Sequence, residues 1–215
     1  MIYKLIEKIL DQAMRIKKFR NYVDYRANHI YFGNGFINNP SNGTINEVFS
    51  EYNFSDIQPT DIVLDIGANV GAFSMFMARM VEHVYAVEPM IADVLRTNVN
   101  NNKIENITII EECLGEGITE ISWMNNNKTM KGKSLHQLIK LCGGHIDFLK
   151  CDCEGGEWII KPEELKGIRR VEMEVHNLND DKNFDNFLKL MTDAGFRYTY
   201  NIPKKTDMLI HAFQR

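Results

Sequence analysis

The chain has 215 residues, of which 44% are hydrophobic and 25% charged, and its formal net charge is −4. This length fits one domain with room for an extension, since domains average roughly 100–200 residues. The mildly acidic balance lacks the basic field that dominates non-specific nucleic-acid affinity, so we expect no DNA partner. No apolar run approaches the roughly 18 residues of a membrane span, and the N-terminus lacks a signal-peptide pattern. These features predict a cytoplasmic protein without a transmembrane segment.

Residues 1–55 are interpreted as an N-terminal extension. Residues 2–19 carry apolar side chains at helical spacing with Lys and Glu between them, which predicts an amphipathic helix. Packing of its apolar face on the body of the protein is the simpler interpretation. A lid over the site, a membrane-surface anchor and a homodimer element are the alternatives. Turn-forming residues at 38–46 then separate the extension from a domain at 56–215.

Within this domain, apolar runs alternate with helix-length amphipathic segments, which indicates a mostly parallel sheet covered by helices on both faces. The runs that predict buried strands are 62–66, 84–88, 107–110, 146–150 and 170–175. The segments that predict helices are 71–81, 91–101, 134–141 and 183–194. Two strand-like runs at 196–200 and 207–213, joined by a turn at 201–206, predict a C-terminal antiparallel hairpin. This pattern is typical of the class I methyltransferase fold, a Rossmann-like open α/β sheet of seven strands.

The first predicted strand runs into a tight glycine turn, DIGANVG at 65–71. Ligands of open α/β sheets bind at the carboxyl ends of the strands, where glycine lets the backbone approach the ligand closely. Asn69 fits such a turn, because Asn tolerates the left-handed backbone conformation. No third glycine follows Gly71 where the G-x-G-x-x-G dinucleotide fingerprint requires one.

The second predicted strand ends at Glu88 and Pro89. Glu88 follows Gly67 by 21 positions, the usual distance for an acid that binds ribose hydroxyls. The turn and this acid predict an adenosine-type ligand, a feature that NAD and S-adenosylmethionine share. A nicotinamide-dependent oxidoreductase therefore stays open, although the missing glycine and the C-terminal hairpin disfavour it.

Four stretches of the chain resemble the FkbM family of S-adenosylmethionine-dependent methyltransferases, in the family's order. They are LDIGANVGAFS (64–74), AVEP (86–89) with residues 95–110, ECLGEG (112–117), and IDFLKCDCEGGEW (146–158) with EVH (174–176). The most specific is the K-x-D-x-E-G-x-E pattern of residues 150–157. The resemblance implies that S-adenosylmethionine contacts residues at the strand ends, namely Asp65, Gly67, Ala68, Asn69, Gly71, Glu88, Pro89, Glu112, Cys113 and Asp152.

Carboxylates cluster after the fourth predicted strand, at Asp152, Glu154 and Glu157, and His176 ends the next strand. Methyl transfer to a hydroxyl requires a positioned acceptor and the removal of its proton. We therefore predict Asp152, Glu154 and His176 as catalytic residues. A divalent metal held by these three is one alternative, and acids that favour a helix N-terminus are another. The prediction is S-adenosylmethionine as cofactor and no metal.

Together these observations predict an enzyme that methylates a hydroxyl on a small molecule, sugar or glycan. An RNA methyltransferase and a non-catalytic cofactor-binding scaffold are the alternatives. DNA amino methylation is disfavoured, because the fourth strand is not followed by the N-P-P-Y-like loop that holds a flipped base.

Overall fold

The structure is a computed structural model that describes Val48, residues 51–123 and residues 126–214. The predicted helix at 2–19 and the turn cluster at 38–46 lie outside these residues. In the part of the chain that is described, no helix is long and apolar enough to span a bilayer.

Among the residues that the structure describes, seven strands form the main sheet and two more form a separate hairpin. The strands are β1 (Ile62–Ile66), β2 (His83–Val87), β3 (Ile107–Ile110), β4 (Ile118–Trp123), β5 (Asn126–Lys131), β6 (Phe148–Cys151), β7 (Arg170–His176), β8 (Phe196–Lys204) and β9 (Asp207–Gln214). The order across the main sheet is β3-β2-β1-β6-β7-β9-β8. Only β9 is reversed, because it pairs antiparallel with both β7 and β8. The predicted seven-stranded, mostly parallel sheet is confirmed.

Helices cover both faces of the sheet, as predicted. The α-helices of the described residues are α1 (Ala72–Met77), α2 (Ala92–Asn101), α3 (Leu135–Leu141) and α4 (Phe184–Asp193), and two short 3₁₀ helices span Gly156–Ile159 and Pro162–Leu165. On one face, Phe73 of α1 and Leu95 of α2 pack in a cluster with the sheet. On the other, Leu138 of α3 and Phe187 of α4 belong to a second cluster. The inner strands are therefore buried on both sides, which explains their continuous apolar runs.

The C-terminal hairpin differs from the sequence prediction in one respect. Residues 201–206 do not form the turn as a whole, because β8 continues to Lys204 with an irregularity between Asn201 and Lys204. Pro203 cannot donate a ladder hydrogen bond, and an edge strand such as β8 tolerates that loss. The turn itself is therefore limited to the two residues that follow β8.

The described residues before β1 belong to the core of the domain. Val48 and Tyr52 lie in the apolar cluster beneath α1. The backbone N–H of Asn53 donates to Oε2 of Glu172, at 2.9 Å, on β7. The end of the predicted extension is thus joined to the sheet, while a domain boundary at residue 55 stays a prediction.

Candidate active site

A cavity of about 540 Å³ opens at the carboxyl ends of the parallel strands. Its size is typical of small-molecule sites. The predicted cofactor residues that line it are Gly67, Ala68, Asn69, Glu88, Pro89, Cys113 and Asp152. The hairpin of β4 and β5 contributes further wall through residues 118–122. Asp65, Gly71 and Glu112, which the resemblance placed at the cofactor, lie outside this lining.

Asp65 and Glu112 make other contacts instead. Asp65 is fully buried, and its Oδ1 lies 3.3 Å from Nζ of Lys150. Glu112 pairs with Lys133, with 3.2 Å between Oε1 and Nζ. Both acids are therefore engaged in ion pairs behind or beside the cavity.

The glycine turn fits tightly against the loop that follows β6. Gly67 has φ +79°, and a Cβ at this position would lie 1.7 Å from the carbonyl oxygen of Asp152. Asn69 has φ 53°, the left-handed conformation that the sequence predicted, and Gly71 is the N-cap of α1. Glycine at position 67 is thus required by close approach of two loops as well as by backbone conformation.

Glu88, at the end of β2, is 6% exposed, and its carboxylate accepts three backbone hydrogen bonds. Asn69 donates to Oε2 at 2.9 Å, while Met90 and Ile91 donate to Oε1 at 2.6 and 3.0 Å. Since a carboxylate offers about four lone-pair positions, one on Oε2 is left for a ligand. Oδ1 of Asn69 is also buried and has no hydrogen-bond partner among the described residues. These two acceptors fit a ligand that brings hydroxyl groups, such as a ribose.

Lys150 links the glycine turn to the loop after β6. Its Nζ donates to the carbonyl oxygen of Gly67 at 2.9 Å and lies 3.8 Å from Oδ2 of Asp152. Burial lowers the pKa of Lys150, but the carboxylates of Asp65 and Asp152 outweigh burial and raise that pKa above its ordinary value. No role for Lys150 followed from the sequence, because the register that sets it beside Asp65 arises only when β6 pairs with β1.

The structure brings Asp152, Glu154 and His176 together, with one ligand-type atom of each within 4.8 Å of the others. Nε2 of His176 lies 3.4 Å from Oε2 of Glu154. On its other side, Nδ1 lies 3.0 Å from Oε1 of Glu157, which is fully buried. Asp152 and Glu154 line the cavity, whereas His176 lies outside the lining.

We call the group of Asp152, Glu154, Glu157 and His176 the acidic end of the cavity. Protonation there depends on the charges of the neighbouring groups. Burial lowers the pKa of His176, but its hydrogen bond to Glu157 and the charges of Glu157 and Glu154 raise that pKa to about 9. His176 is therefore protonated at neutral pH. Burial and the nearby Asp152 carboxylate raise the pKa of Glu174, on β7, to about 7.

The same three side chains have the residue types of a cation site, and Glu174, His176 and Asp207 form a second such group. A protonated imidazole has no lone pair for a metal, so a metal would have to displace the proton of His176. The expectation of no metal stays a prediction.

The sequence profile of the family described as Methyltransferase FkbM domain matches residues 65–198. The chain belongs to this family. The resemblance of the four motifs to this family of S-adenosylmethionine-dependent methyltransferases is thereby confirmed. A cytoplasmic location and a homodimer stay predictions.

Similar proteins place the FkbM domain among methyltransferases. A 23S rRNA (uracil(1939)-C(5))-methyltransferase of Klebsiella pneumoniae is 36% identical over 108 residues, which are 45% of this chain and 25% of that protein. The chain thus spans about a quarter of the length of the curated relatives it matches first. An rRNA methylase structure from Streptococcus thermophilus has a TM-score of 0.52 at 13% identity, covering 83% of this chain and 98% of that one.

A structure of a Streptococcus mutans protein in complex with SAH has a TM-score of 0.50 at 13% identity, and the match covers 83% of this chain and 99% of that one. At this identity the two structures show the fold alone. They confirm the predicted Rossmann-like methyltransferase architecture.

Proposed function

We propose that the protein transfers a methyl group from S-adenosylmethionine to a hydroxyl of a small molecule or sugar, with Asp152 as the general base. The observation that carries this proposal is that one cavity is lined both by the glycine turn with Glu88 and by Asp152 with Glu154. A cofactor pocket and a proton acceptor thus share one space, as methyl transfer to oxygen requires.

At the glycine-turn end, the residues have the chemistry to hold the cofactor. Gly67 lets the turn pack closely against the backbone of Asp152. Glu88 and Asn69 offer acceptors for ribose hydroxyls. Cys113 lies at the end of the cavity that the resemblance assigns to the adenine ring. S-adenosylmethionine, when bound, supplies a methyl group activated by a positively charged sulfur.

At the acidic end, Asp152 is the best-placed proton acceptor. Its side chain is 30% exposed and lines the cavity. Protonated His176 is suited to donating a hydrogen bond rather than to accepting a proton, so we assign it, with Glu154, to orienting the charges around Asp152. This division of roles narrows the three catalytic residues predicted from the sequence to one base and two supporting groups.

The charges along the cavity favour a neutral or cationic acceptor. The acidic residues that line it are Glu51, Glu88, Glu116, Glu120, Asp152 and Glu154. The lining lysine, Lys150, is only 4% exposed. A phosphodiester chain would meet these carboxylates, and like charges across an interface are unfavourable. RNA methylation is the second candidate, because the relatives named above act on rRNA by their descriptions.

Two experiments test the proposal. Isothermal titration of the folded protein with S-adenosylmethionine and S-adenosylhomocysteine should give saturable heats, and no heat at millimolar ligand would contradict cofactor binding. Transfer of a tritiated methyl group is then measured to a panel of monosaccharides, amino sugars and catechol, and to ribosomal RNA. Labelling of RNA without any panel compound would favour the second candidate.

The base is tested by Asp152→Asn with the panel compound that is methylated fastest. We expect transfer to fall by about 100-fold or more, because a general base contributes about 10²–10⁴-fold. The dissociation constant of S-adenosylhomocysteine should change by less than about tenfold, or about 1.4 kcal/mol. Asp185→Asn, at an exposed position of α4, is the matched control and should leave both quantities unchanged.

A further inference from the structure

Tyr52 lies outside residues 65–198, yet its side chain forms part of the cavity wall. Its hydroxyl donates to Oδ2 of Asp152 at 3.2 Å. We propose that Tyr52 is a positioning residue that holds the Asp152 carboxylate toward the reactive end of the cofactor. This inference rests on the proposed role of Asp152 and adds a side chain that the family match does not include.

The ring of Tyr52 is fixed on two sides, which sets the direction of its hydroxyl. It is 8% exposed and meets Phe73 edge to face, with 5.5 Å between the ring centroids. The Nζ atom of Lys150 lies 5.6 Å from the centroid of the same ring, a favourable cation–π distance. Burial, with the nearby Asp152 charge, raises the pKa of Tyr52 well above its ordinary value, so the phenol keeps its proton.

Both groups that hold Asp152 contact the same oxygen. The Tyr52 hydroxyl and the Lys150 ammonium lie 3.2 and 3.8 Å from Oδ2. Oδ1 accepts no hydrogen bond from the described part of the chain, which leaves it for the proton of an acceptor hydroxyl. The contacts to Oδ2 therefore orient the Asp152 carboxylate, and Oδ1 stays available to accept a proton.

The segment that carries Tyr52 is itself fastened to the sheet. We call residues 51–61 the strap. Besides the hydrogen bond from Asn53 to Glu172, the strap is held by Arg169, which donates to the backbone carbonyl and the carboxylate of Asp56, each at 3.1 Å. The strap thus crosses the sheet from its carboxyl edge at Tyr52 to its amino edge at the start of β7. Its anchors make Tyr52 a fixed wall of the site.

Titration with two ligands tests the inference without a methyl acceptor. S-adenosylmethionine carries a charged sulfonium and S-adenosylhomocysteine a neutral thioether, so a carboxylate directed at that end favours the former. Tyr52→Phe removes the hydroxyl and keeps the ring packed on Phe73. We expect the preference for S-adenosylmethionine, the ratio of the two dissociation constants, to fall by about threefold or more. Asp152→Asn should lower it at least as far, and Tyr52→Phe added to Asp152→Asn should lower it no further.

Each other outcome overturns the inference. Equal loss of affinity for both ligands in Tyr52→Phe would indicate a merely structural role, and additive effects of the two substitutions would show that they act separately. An unchanged ratio in Asp152→Asn would show that the carboxylate does not face the reactive end. The matched control is Tyr198→Phe, which removes a hydroxyl that lies 3.2 Å from Oγ1 of Thr192 on α4. It should change the affinity for neither ligand. A failure of the proposed function is distinguished from a failure of this inference by a different measurement, because methyl transfer would then survive in Asp152→Asn.

Discussion

The two ends of the cavity are built in different ways. At the glycine-turn end the backbone makes most of the contacts, through the left-handed conformation of Gly67 and the three N–H groups on Glu88. At the acidic end, side chains from β7 and from the short 3₁₀ helix Gly156–Ile159 contact one another, as His176 and Glu157 do. Affinity for the cofactor at the first end should therefore respond to an added atom at Gly67, and stability at the second end should respond to pH.

Gly67→Ala should break the first end and have the largest effect. The added methyl group would lie 1.7 Å from the carbonyl oxygen of Asp152, a backbone atom that moves only with its loop. We expect affinity for S-adenosylhomocysteine to fall by about 100-fold or more, equivalent to about 2.7 kcal/mol. Isothermal titration measures the affinity, and circular dichroism on heating checks that the variant folds.

Gly143→Ala separates the clash from the backbone conformation. Gly143 also has a positive φ, +85°, but a Cβ there would meet nothing within 4 Å. It should lose about 1 kcal/mol of stability from the left-handed conformation and bind S-adenosylhomocysteine normally. If the two glycine variants bound equally well, close approach at Gly67 would not be what shapes the pocket.

Glu157→Gln should weaken the contacts at the acidic end, with a smaller change in free energy than that expected for Gly67→Ala. The buried carboxylate accepts the N–H of Gly155 at 2.8 Å, the N–H of His176 at 2.7 Å and the ring of His176 at 3.0 Å. The amide keeps the shape but loses the charge and turns one oxygen into a donor. Hydrogen bonds to charged groups contribute about 1.5–3 kcal/mol each, so the free energy of unfolding should fall by about 2 kcal/mol in urea denaturation.

Affinity for S-adenosylhomocysteine should change by less than about threefold in Glu157→Gln, because the substitution lies at the other end. Glu105→Gln, at an exposed position, controls for the loss of one acid and should leave stability unchanged. Normal stability with lost cofactor binding would mean that the two ends are not separate.

The same difference decides what the sequence could predict. Gly67 and Glu88 line the cavity, and the sequence points to both because a short turn and a fixed spacing along the chain set their places. Lys150 and Tyr52 were missed as site residues, since one depends on the register of β6 against β1 and the other on where the strap crosses the sheet. Asp65 is predicted at the cofactor from its place in the motif, whereas its pairing with Lys150 depends on β6 lying beside β1. Adjacent residues in the sequence determine the geometry of a turn. They do not show which charged side chains meet across neighbouring strands.

The smallest predicted effect is a pH dependence of stability that the acidic end imposes. The pKa of His176 is about 9 in the folded protein against 6.5 for an unperturbed histidine. A raised pKa means that the folded state holds the proton more tightly, so its stabilisation is complete below pH 6.5 and disappears as pH rises through 9. His176→Asn should therefore lower the free energy of unfolding at pH 6 and change it little at pH 9.5. Solvent partly screens the pair, so we expect a difference of about 1 kcal/mol.

Urea denaturation at pH 6, 7.5 and 9.5 measures this difference between His176→Asn and the unchanged protein. Ionisation of Glu174, whose pKa is about 7, lowers stability in both proteins as pH rises from about 4.5, so comparing them removes most of its contribution. His136→Asn, at an exposed position of α3, controls for the exchange of a histidine for an asparagine. A cost of His176→Asn that stayed constant from pH 6 to 9.5 would mean that the Glu157 carboxylate does not hold a proton on His176. The acidic end would then not be stabilised by the charges of His176 and Glu157.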